Sequence, residues 1–162
     1  MADAPPADVL VVGCGNDLRS DDGAGRVVAH RVQLLAEERG LTEVGVRSVV
    51  QLVPELALDI GRAQHVVFVD ASIDVDRLTV TPLAPSTSAA DGSREPWTPM
   101  THHLGPAALV ELARRYAGEV PEHVTLVAIP VHDLGYGDRL TSPTAEAVEL
   151  AVDLIDRLIT PG

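Results

Sequence analysis

The chain has no lysine; its 12 basic residues are all arginine. That absence excludes a Walker-type P-loop, a Schiff-base enzyme and a Ser-Lys dyad, each of which needs the amine. Cysteine occurs once, at Cys14, so neither an internal disulfide nor a cysteine-rich zinc site can form. A lone thiol without a staple fits a reducing compartment, and the expected location is cytoplasmic. Aromatic side chains are limited to Phe68, Trp97, Tyr116 and Tyr136. The core must therefore be aliphatic, and there is no stacking platform for single-stranded nucleic acid. Positive charge is also short: 24 acidic against 12 basic residues give a net charge of -12, a field that repels phosphate backbones. No apolar run approaches the ~18 residues of a membrane span. Met1 to Ala7 carries no basic residue and the following apolar run stops at Gly13, so the start does not read as a secretory signal.

What remains is a 162-residue chain with 46% hydrophobic residues, the size and apolar content of one domain over 1–162. Short β-branched runs alternate with helical patterns. Strands are expected at Asp8 to Gly13, Val44 to Val50, His65 to Asp70 and His123 to Ile129, with a weaker, edge-like one at Leu78 to Pro82. Helices are expected over Asp22 to Arg39, stopped by Gly40, and over Pro54 to Arg62. Two more are expected over Pro106 to Tyr116 and Thr141 to Leu158. The first places Val27, Val28, Arg31, Leu34, Leu35 and Glu38 at mixed 3.6 spacing. The last should bury Val148, Ala151, Val152, Ile155 and either Leu158 or Ile159. A proline-rich stretch at about 82–101 reads as a long irregular loop. The alternation implies an α/β fold: a three-layer α/β/α sandwich around a mostly parallel, about five-stranded sheet, phosphorylase/hydrolase-like. In such sheets ligands bind outside the carboxyl ends of the strands, which directs attention to the residues after Gly13, Asp70 and Ile129.

Three candidates for chemistry sit at such junctions. The turn from Gly13 to Gly23 begins like a dinucleotide fingerprint, but Leu18 stands where the third glycine belongs. Asp17, Asp21 and Asp22 also put acids where a pyrophosphate would lie, so a cation fits better. Ser20 or Asp21 can serve as helix cap, which leaves Asp22 without a structural task. Asp70 ends an apolar strand, the position either of a site carboxylate or of an Asp capping a turn. His102 and His103 are adjacent, so in extended backbone only one can face a given site. Two carboxylates and one imidazole from separate junctions would make an oxygen/nitrogen metal site with open positions. Cys14 reads as a small structural residue, His65 and His123 as lying at the wrong end of the sheet, and His132, Asp133 and Trp97 as weaker substrate contacts.

These residues also fall into a known pattern. Val11-Val12-Gly13-Cys14-Gly15-Asn16 leads to Leu18, Asp21-Asp22-Gly23 and Gly25. Val66 to Ala71, His102-His103-Leu104-Gly105 and Gly135 to Pro143 follow in order. In these motifs the chain resembles the [NiFe]-hydrogenase maturation endopeptidases over about residues 8 to 158. The resemblance implies a three-layer α/β/α sandwich and removal of a short C-terminal extension from the nickel-loaded precursor of a hydrogenase large subunit. It implies that Asp22, Asp70 and His102 contact the metal and serve catalysis, with His103 at a variable position. Nickel arrives with the substrate, and another divalent ion such as zinc would substitute. Some members carry Glu where Asp22 stands, and the Gly-Gly-Thr turn of several members is absent from Ser48 to Leu56.

The expected activity is thus a hydrolase, a nickel-dependent endopeptidase of aspartic or metal-assisted type, whose partner is the large-subunit precursor. No Ser or Cys triad signature supports an acyl-enzyme. The competing readings are a non-proteolytic Rossmann-like nucleotide or phosphate binder, a metal-sensing maturation scaffold, and a general metallopeptidase.

Overall fold

The computed structural model describes residues 7–83 and 104–161. Strand β1 (Val9–Cys14) leads through a 3-10 turn (Ser20–Gly23) into helix α1 (Ala24–Arg39) and strand β2 (Val44–Val49). Helix α2 (Leu56–Arg62), strand β3 (His65–Ser72) and strand β4 (Thr79–Leu83) follow. After residue 103 come helix α3 (Pro106–Ala117), strand β5 (His123–Pro130) and helix α4 (Ser142–Ile159). The strands form one sheet in the order β2-β1-β3-β5-β4. The first four in that order run parallel, and β4 pairs antiparallel with β5 at the edge. Pro82, where the expected edge-like strand meets the expected loop, lies in this edge strand opposite Thr125; an edge tolerates the missing N–H. Most of the expected loop, with Trp97, lies outside the described residues.

The sandwich follows from alternation along buried strands. Val11, Val67, Val69, Val127 and Ile129 face one side and pack with α1 and α4 residues such as Val28, Val32, Val148 and Ile155. Leu10, Val12, Val66, Phe68 and Val124 face the other and pack with Ile60 of α2 and with Leu109 and Ala113 of α3. Because β2 is added on one side of β1 and β3 on the other, the order of strand addition reverses between β1 and β3 while the strands stay parallel. That switch point is where a doubly wound sheet opens a crevice.

The face of α1 differs from the expected one. Val27 and Leu34 are exposed, while Ala24, Gly25, Val28, Ala29, Val32 and Ala36 are buried. The reason is close packing: a Cβ on Gly25 would lie 2.4 Å from the Val69 carbonyl oxygen and 2.5 Å from that of Cys14. The helix start therefore rests directly on the ends of β1 and β3, and only small residues fit there. On α4, Ile159 is buried and Leu158 exposed, which settles the open alternative. Arg31 pairs with Glu149 and Arg39 with Asp156, linking α1 to α4 at the surface.

Candidate active site

The switch point carries a cavity of about 390 Å³ at the carboxyl end of the sheet. Asp70 comes to it from the end of β3, Asp22 from the 3-10 turn, and Cys14, Gly15 and Asn16 from the end of β1. Val50, Gln51 and Leu52 supply another wall, and Leu104, Gly105 and Pro106 close the rim. Two candidates far apart in sequence, Asp22 and Asp70, therefore share one cavity. His102 and His103 lie outside the described residues, immediately before the rim segment Leu104–Pro106. Among the described residues no three His, Cys, Asp or Glu side chains converge to hold a metal ion.

Asp70 is exposed to the cavity, yet the protein packed around it pushes its carboxyl up to about 6; the nearby Asp22 charge adds to the rise, and a hydrogen bond from the Ala71 N–H opposes it. Asp22 is half-buried, and its Oδ2 accepts the Asn16 N–H at 3.1 Å, which fixes the carboxylate toward the β1 turn. Cys14 has its thiol pushed up to about 11, by burial first and then by the charges of Asp70 and Asp22. Its Sγ donates to the Val50 carbonyl at 3.5 Å. A thiol so placed stays protonated at neutral pH and is a poor nucleophile, in agreement with the structural role expected for it. Arg19 lines the same cavity, with Nε donating to the Leu134 carbonyl at 3.3 Å.

Asp21 has a different task from the helix cap expected of it. It is fully buried and its carboxylate accepts the N–H groups of His132 at 2.8 Å, Asp133 at 3.0 Å and Thr141 at 2.7 Å. The Thr141 hydroxyl donates a fourth hydrogen bond at 2.8 Å. Burial would raise its pKa; the donors from Thr141 and His132 outweigh that and hold it below the ordinary carboxylate range. Neither the 3-10 turn nor α1 carries a side-chain cap bond at its start. Ser20, strained at φ 50°, is held by its hydroxyl donating to the Gly135 carbonyl at 2.9 Å and by its N–H donating to Gly137. The loop after β5 thus buttresses the turn that carries Asp22. His132 and Asp133 act there through their backbones, with exposed side chains that do not line the cavity.

The strand-end reading passes over the wall after β2, which falls in the Ser48 to Leu56 segment where the resemblance departs from the family's Gly-Gly-Thr turn. The signal was available: β2 is also parallel, so its carboxyl end lies at the same edge. His65 and His123 lie at the opposite, amino end, as expected.

The fold and the carboxylate cavity define a doubly wound α/β/α sandwich with an acidic site at its switch point. Solved structures of hydrogenase maturation endopeptidases share this fold. A hydrogenase 2 maturation peptidase from Thaumarchaeota archaeon SCGC_AB-539-E09 superposes with a TM-score of 0.65 at 28% identity, over 93% of this chain and 97% of that one. The hydrogenase maturating endopeptidase HybD from E. coli gives 0.66 at 20% identity, over 93% and 91%. The [NiFe] hydrogenase maturation protease HycI from Thermococcus kodakarensis KOD1 gives 0.67 at 21% identity, over 94% and 92%. The resemblance seen in the sequence motifs is met in the fold. No protein-family model matches the chain, and no curated protein is significantly similar to it in sequence.

Proposed function

We propose that this chain is an endopeptidase that removes a short C-terminal extension from the nickel-loaded precursor of a [NiFe]-hydrogenase large subunit. The observation that carries the reading is the convergence of Asp22 and Asp70 on one cavity at the switch point, within a fold shared with proteases of that process. The donor chemistry is consistent with it. Two carboxylates and the imidazole of His102 form an oxygen/nitrogen set suited to a borderline divalent ion such as nickel. Leu104 and Gly105, the second half of His102-His103-Leu104-Gly105, already line the rim.

In this reading the substrate's nickel meets Asp22, Asp70 and His102, and that contact holds the scissile peptide over the cavity. Asp70, with its carboxyl raised to about 6, has the proton affinity of a general base for the hydrolytic water near neutral pH. Asp22, fixed by the Asn16 N–H, keeps the second carboxylate in place. The acidic turn after β1 disfavours the nucleotide-binding alternative, because a phosphate would face Asp22 and Asp70.

The test is a gel-shift assay of purified large-subunit precursor with and without nickel. The expected result is shortening of the nickel-loaded precursor alone by the wild-type chain, with no shortening by Asp70→Asn or His102→Gln. Binding without shortening would instead establish the scaffold reading, and cutting of unrelated peptides the general metallopeptidase.

A further inference from the structure

At the amino end of the sheet, remote from the carboxylate cavity, His65 opens β3 and His123 opens β5 as direct register partners. Register partners in a parallel pair project to the same face, and the two imidazoles stand with ring centroids 5.6 Å apart, tilted by 58°. Two imidazoles bound to one tetrahedral ion through Zn–N bonds of about 2.0–2.1 Å place their centroids roughly 5 Å apart. The observed separation of the pair is close to that spacing before any ion arrives. His65 Nε2 lies 2.9 Å from the Thr125 hydroxyl. With Nε2–H donating to that oxygen, the ring is fixed in the tautomer that leaves the Nδ1 lone pair available. A cavity of about 340 Å³ opens onto the pair, and Glu122 lines it, a nearby negative charge that favours a cation.

We infer that His65 and His123 form a second metal site, taking a divalent transition ion of imidazole preference such as zinc or nickel. Among the described residues no three-ligand cluster forms, so water completes the coordination and exchange is fast. The site joins the first residues of two central strands and is independent of the proposed proteolysis.

The test uses the untagged full-length chain carrying Asp22→Asn and Asp70→Asn, which disables the cavity carboxylates. Zinc chloride and nickel chloride are titrated calorimetrically, and cobalt chloride is followed by its visible spectrum. One ion per chain is expected to bind, with a cobalt spectrum of tetrahedral nitrogen/oxygen type. His123→Gln and His65→Gln should each weaken binding by about tenfold or more, and Thr125→Val, which keeps both ligands but frees the His65 ring, should weaken it measurably. Circular dichroism identifies any variant that fails to fold. Undiminished binding in folded His65→Gln and His123→Gln, or no ion bound in the starting chain, would overturn the assignment.

Discussion

The buried carboxylate of Asp21 receives both the N–H and the hydroxyl of Thr141, at 2.7 and 2.8 Å, across 120 residues of sequence. The bond pins the loop after β5 to the turn that presents Asp22. Replacing Asp21 with Asn turns one of its two acceptor oxygens into a donor, set against at least the Thr141 N–H, and should cost about 2 kcal/mol. Urea unfolding of the wild type and of Asp21→Asn measures it. Because the folded pKa of Asp21 is depressed, its contribution is complete above the unfolded carboxylate value of about 3.9 and is lost as pH falls through the folded value. Below about pH 4 the difference between wild type and variant should therefore shrink.

Asp70 should behave in the opposite sense. Its folded carboxyl is raised to about 6, so ionising it disfavours the folded chain as pH climbs from the unfolded value toward and beyond 6. Asp70→Asn should then raise Tm at pH 8 and leave it unchanged near pH 4. Solvent at the cavity mouth limits the gain to under about 1 kcal/mol. Thermal melts of both proteins at the two pH values check the sign, and the same variant should lose cleavage.

Cys14 should resist alkylation. A thiol pushed up to about 11 rather than the ordinary 9.0 carries about a hundredfold less thiolate at pH 8. Iodoacetamide labelling of the native chain, compared with the urea-unfolded chain, should show a loss of rate of that order.

Gly25→Ala should be severe for so small a change. The added methyl meets two main-chain carbonyls, of Val69 and Cys14, and neither can rotate away, so the helix must shift at a cost of about 1–3 kcal/mol. Gly40→Ala serves as the contrast. Nothing lies within 4 Å of its Cβ, and its φ of 66° carries the only penalty, about 1 kcal/mol. Denaturant midpoints separate the two, and only Gly25→Ala should also depress cleavage, because the shift moves Asp22 relative to Asp70.

Much of the fold was legible because β-branched runs such as Val66 to Val69 leave few alternatives and the Gly40 and Pro106 boundaries are local signals. The α1 face was not, because apolar periodicity favours Leu34 over Ala29, whereas the close approach of Gly25 to β3 selects small residues. Asp21 was misread as a cap since its true donors stand 111 to 120 residues away. Asp22 stands out by elimination and Asp70 by its place at a strand end, and the fold brings the two to one cavity. The pairing of His65 with His123 depends on β3 and β5 being neighbours, which no local pattern encodes.

The carboxylates of the cavity are carried by main chain locked at the Gly25 contact, while Val50, Gln51 and Leu52 contribute to its wall from the loop beyond an edge strand. The acids and this wall therefore rest on mechanically separate parts of the fold. Exchanging the segment after β2 would reshape the cavity wall without disturbing the acids beneath.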